Sequence, residues 1–140
     1  MSARRKGRQR ALEILYAADL RGVGITEALG EEAGRAAKRP EQQESFSFAT
    51  ELVKGVQGEQ EQIDQIISAH STSWPLERMP IIDRSLLRIA CFELLRHPET
   101  PTAVIISEAA NLAGDYGTDD SRGFIQGVLG AVAEHTRPTS

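Results

Sequence analysis

Residues 82–96 can form only a helix that is covered on several sides. Ile82, Leu86, Ile89, Ala90 and Leu94 share one side of such a helix, Leu87, Cys91 and Leu95 a second, and Phe92 a third. Arg84 and Arg88 leave a narrow polar strip. A segment this apolar all round belongs at the centre of a helical domain rather than on its surface. Glu93 falls on the Leu86, Ile89 and Ala90 side. An ionised carboxylate there costs about several kcal/mol unless it is paired or hydrogen-bonded. The expectation is a buried structural carboxylate held by an arginine or a helix N-terminus.

The rest of the chain reads as helices punctuated by glycine and proline. Ala11, Leu15 and Ala18 make a stripe on a first helix that the glycines of Leu20-Arg21-Gly22-Val23-Gly24 end. Thr26 is placed to cap a second helix over about residues 27–38, stopped by Pro40. Phe48, Ala49, Leu52, Val53 and Val56 belong to a third helix opened by Ser45 or Ser47. After a break at Gly58, Ile63, Ile66, Ile67 and His70 belong to a fourth. Trp74-Pro75 begins a turn, with Leu76 and Met79 as core plugs. His97-Pro98 closes the central helix, and Thr100-Pro101 opens a sixth that stops at Gly117. Thr118-Asp119-Asp120-Ser121 is an N-cap cluster for a last helix carrying Phe124, Ile125, Val128, Leu129 and Val132. Gly123, Gly127 and Gly130 lie inside it, each costing about 1 kcal/mol against alanine, and imply a close approach there, preferentially by another helix and otherwise by a nucleic acid strand or partner chain lying across them. No alternation of strand period occurs. The reading is all-α, a compact single domain over residues 1–140 with about seven helices.

The 140 residues, 40% of them hydrophobic, suffice for one domain with a proper core. Sixteen Lys and Arg against twenty Asp and Glu give a net charge of −4, which excludes nucleic-acid coating by overall positive charge. Positive charge is instead local: Arg4-Arg5-Lys6-Gly7-Arg8-Gln9-Arg10 precedes the first acidic residue, Glu13. At about 100° per residue, Arg4 and Arg8 continue the Ala11 and Leu15 stripe, while Arg5, Lys6 and Arg10 point elsewhere. Cations all round a helix start are expected to project into solvent and to sit unfavourably at the positive end of the helix dipole. A polyanion relieves both. Residues 1–7, interrupted by Gly7, are expected to be flexible until bound.

Catalytic and metal chemistry find no support. His70, His97 and His135 are far apart and share no ligand spacing with Cys91, and neither a phosphate-cradling glycine loop nor a nucleophile elbow is present. Cys91 reads as a core residue. Catalytic residues, metal and cofactors are therefore each expected to be none. A single cysteine and no membrane-span pattern point to a cytoplasmic chain with no membrane partner.

Four segments in order carry a family resemblance. They are the basic run entering Ala11-Leu12-Glu13-Ile14-Leu15-Tyr16, then Asp83-Arg84-Ser85-Leu86-Leu87-Arg88-Ile89-Ala90-Cys91-Phe92-Glu93-Leu94, Val104-Ile105-Ile106-Ser107-Glu108-Ala109, and Gly117-Thr118-Asp119-Asp120-Ser121-Arg122-Gly123-Phe124-Ile125-Gln126-Gly127-Val128-Leu129. Together they resemble the NusB family of transcription antitermination proteins over nearly the whole chain. The resemblance implies two helical subbundles around the central apolar helix. It implies binding to boxA RNA together with the small-subunit ribosomal protein NusE, within the RNA polymerase antitermination complex on ribosomal RNA operons. It assigns RNA binding to Arg4, Arg5, Lys6, Arg8, Arg10, Tyr16, Asp120 and Phe124, and partner binding to Asp83. A homodimer stays open, as does a different role as a detached RNA-binding module or self-associating helical scaffold in ribosomal RNA maturation.

Overall fold

The computed structural model describes residues 2–137. Six α-helices lie among them: α1 (Ala3–Arg21), α2 (Ile25–Ala37), α3 (Gln43–His70), α4 (Ile81–Arg96), α5 (Thr102–Tyr116) and α6 (Ser121–Thr136), with 3₁₀ turns at Pro40–Gln42 and Leu76–Arg78. The all-α expectation holds, with six helices in place of about seven. The difference lies in α3, where the third and fourth expected helices run on as one. The break expected at Gly58 survives as a kink at Glu59, whose φ of −124° and ψ of 19° are not helical. The chain also divides between Gly58 and Glu59 into two compact units.

In the first unit α1 packs on α2. Ser2 caps α1 by accepting the Arg5 backbone N–H at 3.1 Å, and Gly22 ends it in the left-handed region at φ 68°. Residues 3–7 form the first turns of α1, with a capping bond at their start, and Met1 of the segment 1–7 lies outside the described residues. Ala11, Leu12, Ile14, Leu15 and Ala18 are buried, as their stripe requires. Helix α2 begins two residues earlier than Thr26 would place it, at Ile25 after Gly24, without a side-chain cap. Arg21 forks onto Glu31 at 2.9 and 3.1 Å, an exposed pair.

In the second unit α4, α5 and α6 pack mutually. Ten consecutive-turn residues of α4, including Leu86, Leu87, Ile89, Cys91 and Phe92, are buried, which satisfies the all-round apolar pattern. Burial pushes the Cys91 thiol up to about 12, so it stays protonated and serves as a small core group. Its polar strip is used: Arg88 forks onto Asp64 of α3 at 2.8 and 3.0 Å. Glu93 is buried as expected, and its carboxylate lies 3.7 Å from His97 Nδ1 one turn on.

Arg137 closes the second unit. Its guanidinium donates to four backbone carbonyls, those of Leu94 at 2.9 Å, Thr100 at 2.7 Å, Glu93 at 3.2 Å and His97 at 2.6 Å, and to Thr102 Oγ1 at 3.2 Å. The last turn of a helix leaves carbonyls without intrahelical donors, and a cation there also meets the negative end of the helix dipole. Arg137 supplies both needs at the end of α4 and fastens the following turn to α5.

Of the neighbours expected against the glycines of α6, another helix is not present among the described residues. A Cβ added at Gly123, Gly127 or Gly130 would meet nothing within 4 Å, so no neighbouring helix presses on them. The buried stripe of α6, Ile125, Val128, Leu129 and Val132, lies on another face.

Truncation of Arg137 to alanine is expected to lower stability by about 2–4 kcal/mol, because several partly buried carbonyls lose a charged donor together. Urea denaturation of Arg137→Ala beside Arg21→Ala checks this, with the exposed Arg21 and Glu31 pair expected to contribute almost nothing.

Candidate nucleic-acid interface

The basic run is split by its packing. Gly7 is buried, and a Cβ built on it would lie 2.8 Å from Phe48 Cδ2 and 3.0 Å from the Ser45 carbonyl oxygen. Glycine is needed here for close approach, so α1 sits directly on the start of α3. Phe48 then becomes the seat of the run. The Arg4 guanidinium lies over its ring at 4.8 Å and that of Arg8 at 5.5 Å, distances at which a cation is attracted to an aromatic face. Arg8 is only 4% exposed, contrary to the expectation that all five cations project into solvent. The stripe of α1 does not end where it turns basic; an aromatic ring continues the core beneath it.

Arg10 is also turned inward. It donates to Glu32 of α2 and to the Gln42 side chain, and its own side chain is 13% exposed. Glu32 is shared with Arg35, at 2.6 Å from Nη2. Arg4, Arg5 and Lys6 remain as exposed cations. Tyr16 is half-buried further along α1. The five expected phosphate contacts thus separate into three outward cations and two that hold the first unit together.

The other expected site residues lie in the second unit, at the turn between α5 and α6. Asp120 occupies the N-cap position of α6 with φ −88° and ψ −14°, and its exposed side chain makes no cap bond. Phe124 follows one turn later, bonding back from its N–H to the Asp120 carbonyl at 3.1 Å. Its ring meets Trp74 edge to face at a centroid distance of 5.2 Å. Trp74 is 39% exposed and was not singled out as a site residue from sequence. The one tryptophan of the chain, placed beside proline in a polar turn, was the available signal. Exposed aromatics of this kind have faces suited to stacking unpaired bases, and the neighbouring Asp119 and Asp120 offer exposed carboxylates, groups that repel phosphate and are able to accept from amino groups.

Asp83, expected to face a protein partner, is 1% exposed in the first turn of α4. Its Oδ1 accepts the Ser121 hydroxyl at 2.7 Å. Burial, the larger effect, raises its carboxyl above the usual aspartate range, and the Ser121 bond opposes this. Among the described residues no group of three or more His, Cys, Asp or Glu is arranged to hold a metal ion, and no helix is long and apolar enough to cross a membrane.

The comparisons with known proteins decide the family. The NusB family profile matches residues 5–134. The chain belongs to the NusB family. It is 44% identical over 133 residues to the transcription antitermination protein NusB of Clavibacter michiganensis, covering 95% of this chain and 97% of that one. It is 46% identical over 136 residues to the NusB of Salinispora tropica, covering 96% and 98%. The solved structure of T. maritima NusB superposes with a TM-score of 0.83 at 28% identity, covering 96% of this chain and 93% of that one. A chain in the crystal structure of antitermination factors NusB and NusE in complex with dsRNA gives 0.84 at 25% identity, with 96% and 98% covered. NusB-family membership therefore rests on sequence and fold over nearly the full length.

The position of Asp83 makes stability depend on pH. Its folded carboxyl holds the proton more tightly than the unfolded one, so its contribution is full below the ordinary aspartate range and is lost as pH rises through the raised folded value. Asp83→Asn is therefore expected to melt higher than the parent at neutral pH, with the two curves converging in acid. Thermal melts across that range check the sign. Asp83→Lys, by contrast, places an ammonium in the same buried position and is expected to unfold the second unit.

Proposed function

We propose that this chain is a cytoplasmic transcription antitermination factor. It binds boxA-type single-stranded RNA together with the ribosomal protein NusE and promotes read-through by RNA polymerase in ribosomal RNA operons. The observation that carries this reading is family membership along nearly the whole chain, joined to the likeness with a NusB that was crystallised with NusE and RNA. The residues agree with it chemically. Arg4, Arg5 and Lys6 offer exposed cations to phosphates, which set encounter and affinity without reading sequence. Phe124, with Asp120 at the start of its helix, offers the means of reading bases. Tyr16 adds a half-buried aromatic on the helix that carries the cations. Arg8 and Arg10 support the surface from within, through Phe48 and Glu32.

Mechanistically, the chain acts by binding and performs no covalent step. Three exposed cations neutralise about three phosphates, so log K is expected to fall against log salt with a slope of about −2 on single-stranded RNA, from roughly −0.7 per contact. Five contacts would give about −3.5. The modest slope and the net charge of −4 both favour a second protein that contributes RNA-binding surface.

The test is a fluorescence-anisotropy titration of labelled boxA-type RNA, single-stranded and as a duplex, at several salt concentrations with and without NusE. Arg4→Ala with Lys6→Ala is expected to weaken binding and bring the slope to about −0.7, with the melting temperature lowered only slightly by loss of the Arg4 contact with Phe48. Arg10→Ala is expected to lower the melting temperature instead, since it leaves Glu32 buried and short of a partner. Equal affinity for unrelated RNA, or no gain with NusE, would count against the assignment.

A further inference from the structure

We infer that Asp83 is a positioning residue that acts through Ser121 to hold the 118–124 segment, and with it Asp120 and Phe124, in its ligand-binding conformation. This rests on the reading of Asp120 and Phe124 as RNA contacts. It assigns Asp83 a role that does not require it to touch a partner.

The geometry is a chain of hydrogen bonds running from the first turn of α4 to the start of α6. Asp83 Oδ1 accepts the Ser121 hydroxyl at 2.7 Å, and both residues are 1% exposed. The same Oγ accepts the Thr118 backbone N–H at 3.0 Å and lies 3.3 Å from Thr118 Oγ1. A hydroxyl has one proton to give. With that proton committed to Asp83, its lone pairs are directed at Thr118, so the carboxylate fixes the rotamer and the direction in which the turn is held. The Ser121 N–H to Thr118 carbonyl bond at 3.1 Å closes the turn itself.

Packing removes the alternatives. A Cβ on Gly117 would stand 2.5 Å from Ser121 Oγ and 2.7 Å from its Cβ, so the backbone of Gly117 walls the hydroxyl in. Three residues after Ser121, the Phe124 ring is set against Trp74. An aspartate in this place costs stability, since burial disfavours its charge. A carboxylate nevertheless accepts a hydrogen bond more strongly than a neutral group. The residue gives up stability for a fixed turn, as expected of a group that positions a binding surface.

Direct contact and positioning make opposite demands on the side chain. Contact with a cationic partner needs the charge of Asp83 and is indifferent to Ser121. Positioning needs an acceptor at Oδ1 and the Ser121 hydroxyl, and an amide oxygen can serve as that acceptor. The experiment compares Asp83→Asn, Asp83→Ala, Ser121→Ala and the double alanine variant in the full chain. Two readouts are used: Trp74 emission, which reports the chain's single tryptophan beside Phe124, and affinity for single-stranded boxA-type RNA with NusE present. Ser121→Ala and Asp83→Ala are each expected to shift the emission and to weaken RNA binding by roughly fivefold or more, the double variant being no worse than either single one. Asp83→Asn is expected to keep the parent emission and an affinity within about twofold of the parent. Ser121→Ala removes a single oxygen atom, so it carries the test if Asp83→Ala does not fold. Loss of binding in Asp83→Asn with full binding in Ser121→Ala would overturn the inference in favour of direct charge contact, as would unchanged emission in Ser121→Ala. Failure of the parent chain to bind RNA would sink the RNA reading instead, and the emission comparison would then decide the hydrogen-bond chain by itself.

Discussion

The end of α4 is the point on which the second unit depends. A helix that is apolar on nearly every side can be buried, but its last carbonyls are then carried into a place where water cannot reach them freely. Arg137 resolves this with five donors fixed in a plane, which meet four carbonyls and one hydroxyl from three successive pieces of chain. A lysine has the charge but not the fork, and could not reach so many acceptors at once. The same helix is held at its start by the Asp83 and Ser121 bond and along its side by Arg88 on Asp64. Asp83 and Arg88 thus each tie a neighbouring element to α4.

The first unit is organised on a different principle. There the question is how a helix can begin as a cluster of cations and continue as a core stripe without a break. Phe48 answers it by giving the cations an aromatic face, and Gly7 lets that face come close. The result divides one run of charge into two jobs. Arg8 and Arg10 are spent on internal partners, whereas Arg4, Arg5 and Lys6 remain outward. Glu59, at the kink of α3, shows a related economy in the second unit. Arg96 bonds its carboxylate and holds it below the usual range, so the one non-helical residue of α3 is fixed by an ion pair.

A ligand meets what folding leaves at the surface. The half-buried Phe124 ring beside an exposed Trp74, an N-cap aspartate whose side chain makes no cap bond, and three cations exposed at the start of α1 are groups that folding leaves accessible. They match the chemistry of the proposed ligand, a single-stranded polyanion with splayed bases, and the chain that carries them belongs to the NusB family.

Helix periodicity, most of the glycine and proline stops and the burial of residues 82–96 on several sides were legible in the residues, because they depend on spacing along one chain. The family was legible for the same reason, four motifs in order being a property of sequence alone. What could not be read was direction. Whether Arg8 faced water or Phe48, whether Arg10 was free or held by Glu32, and whether Asp83 looked out or towards Ser121 each depended on a residue between 22 and 40 positions away. Seven expected helices became six because hydrogen bonding carried α3 past Gly58, and the glycines of α6 proved to face open space because no neighbour was packed on that side. The sequence by itself determined the helices, their order and the chemistry available to them. Tertiary structure alone decided which charges are neutralised inside and which remain for a ligand, since a charge is spent or kept only by what folding brings beside it.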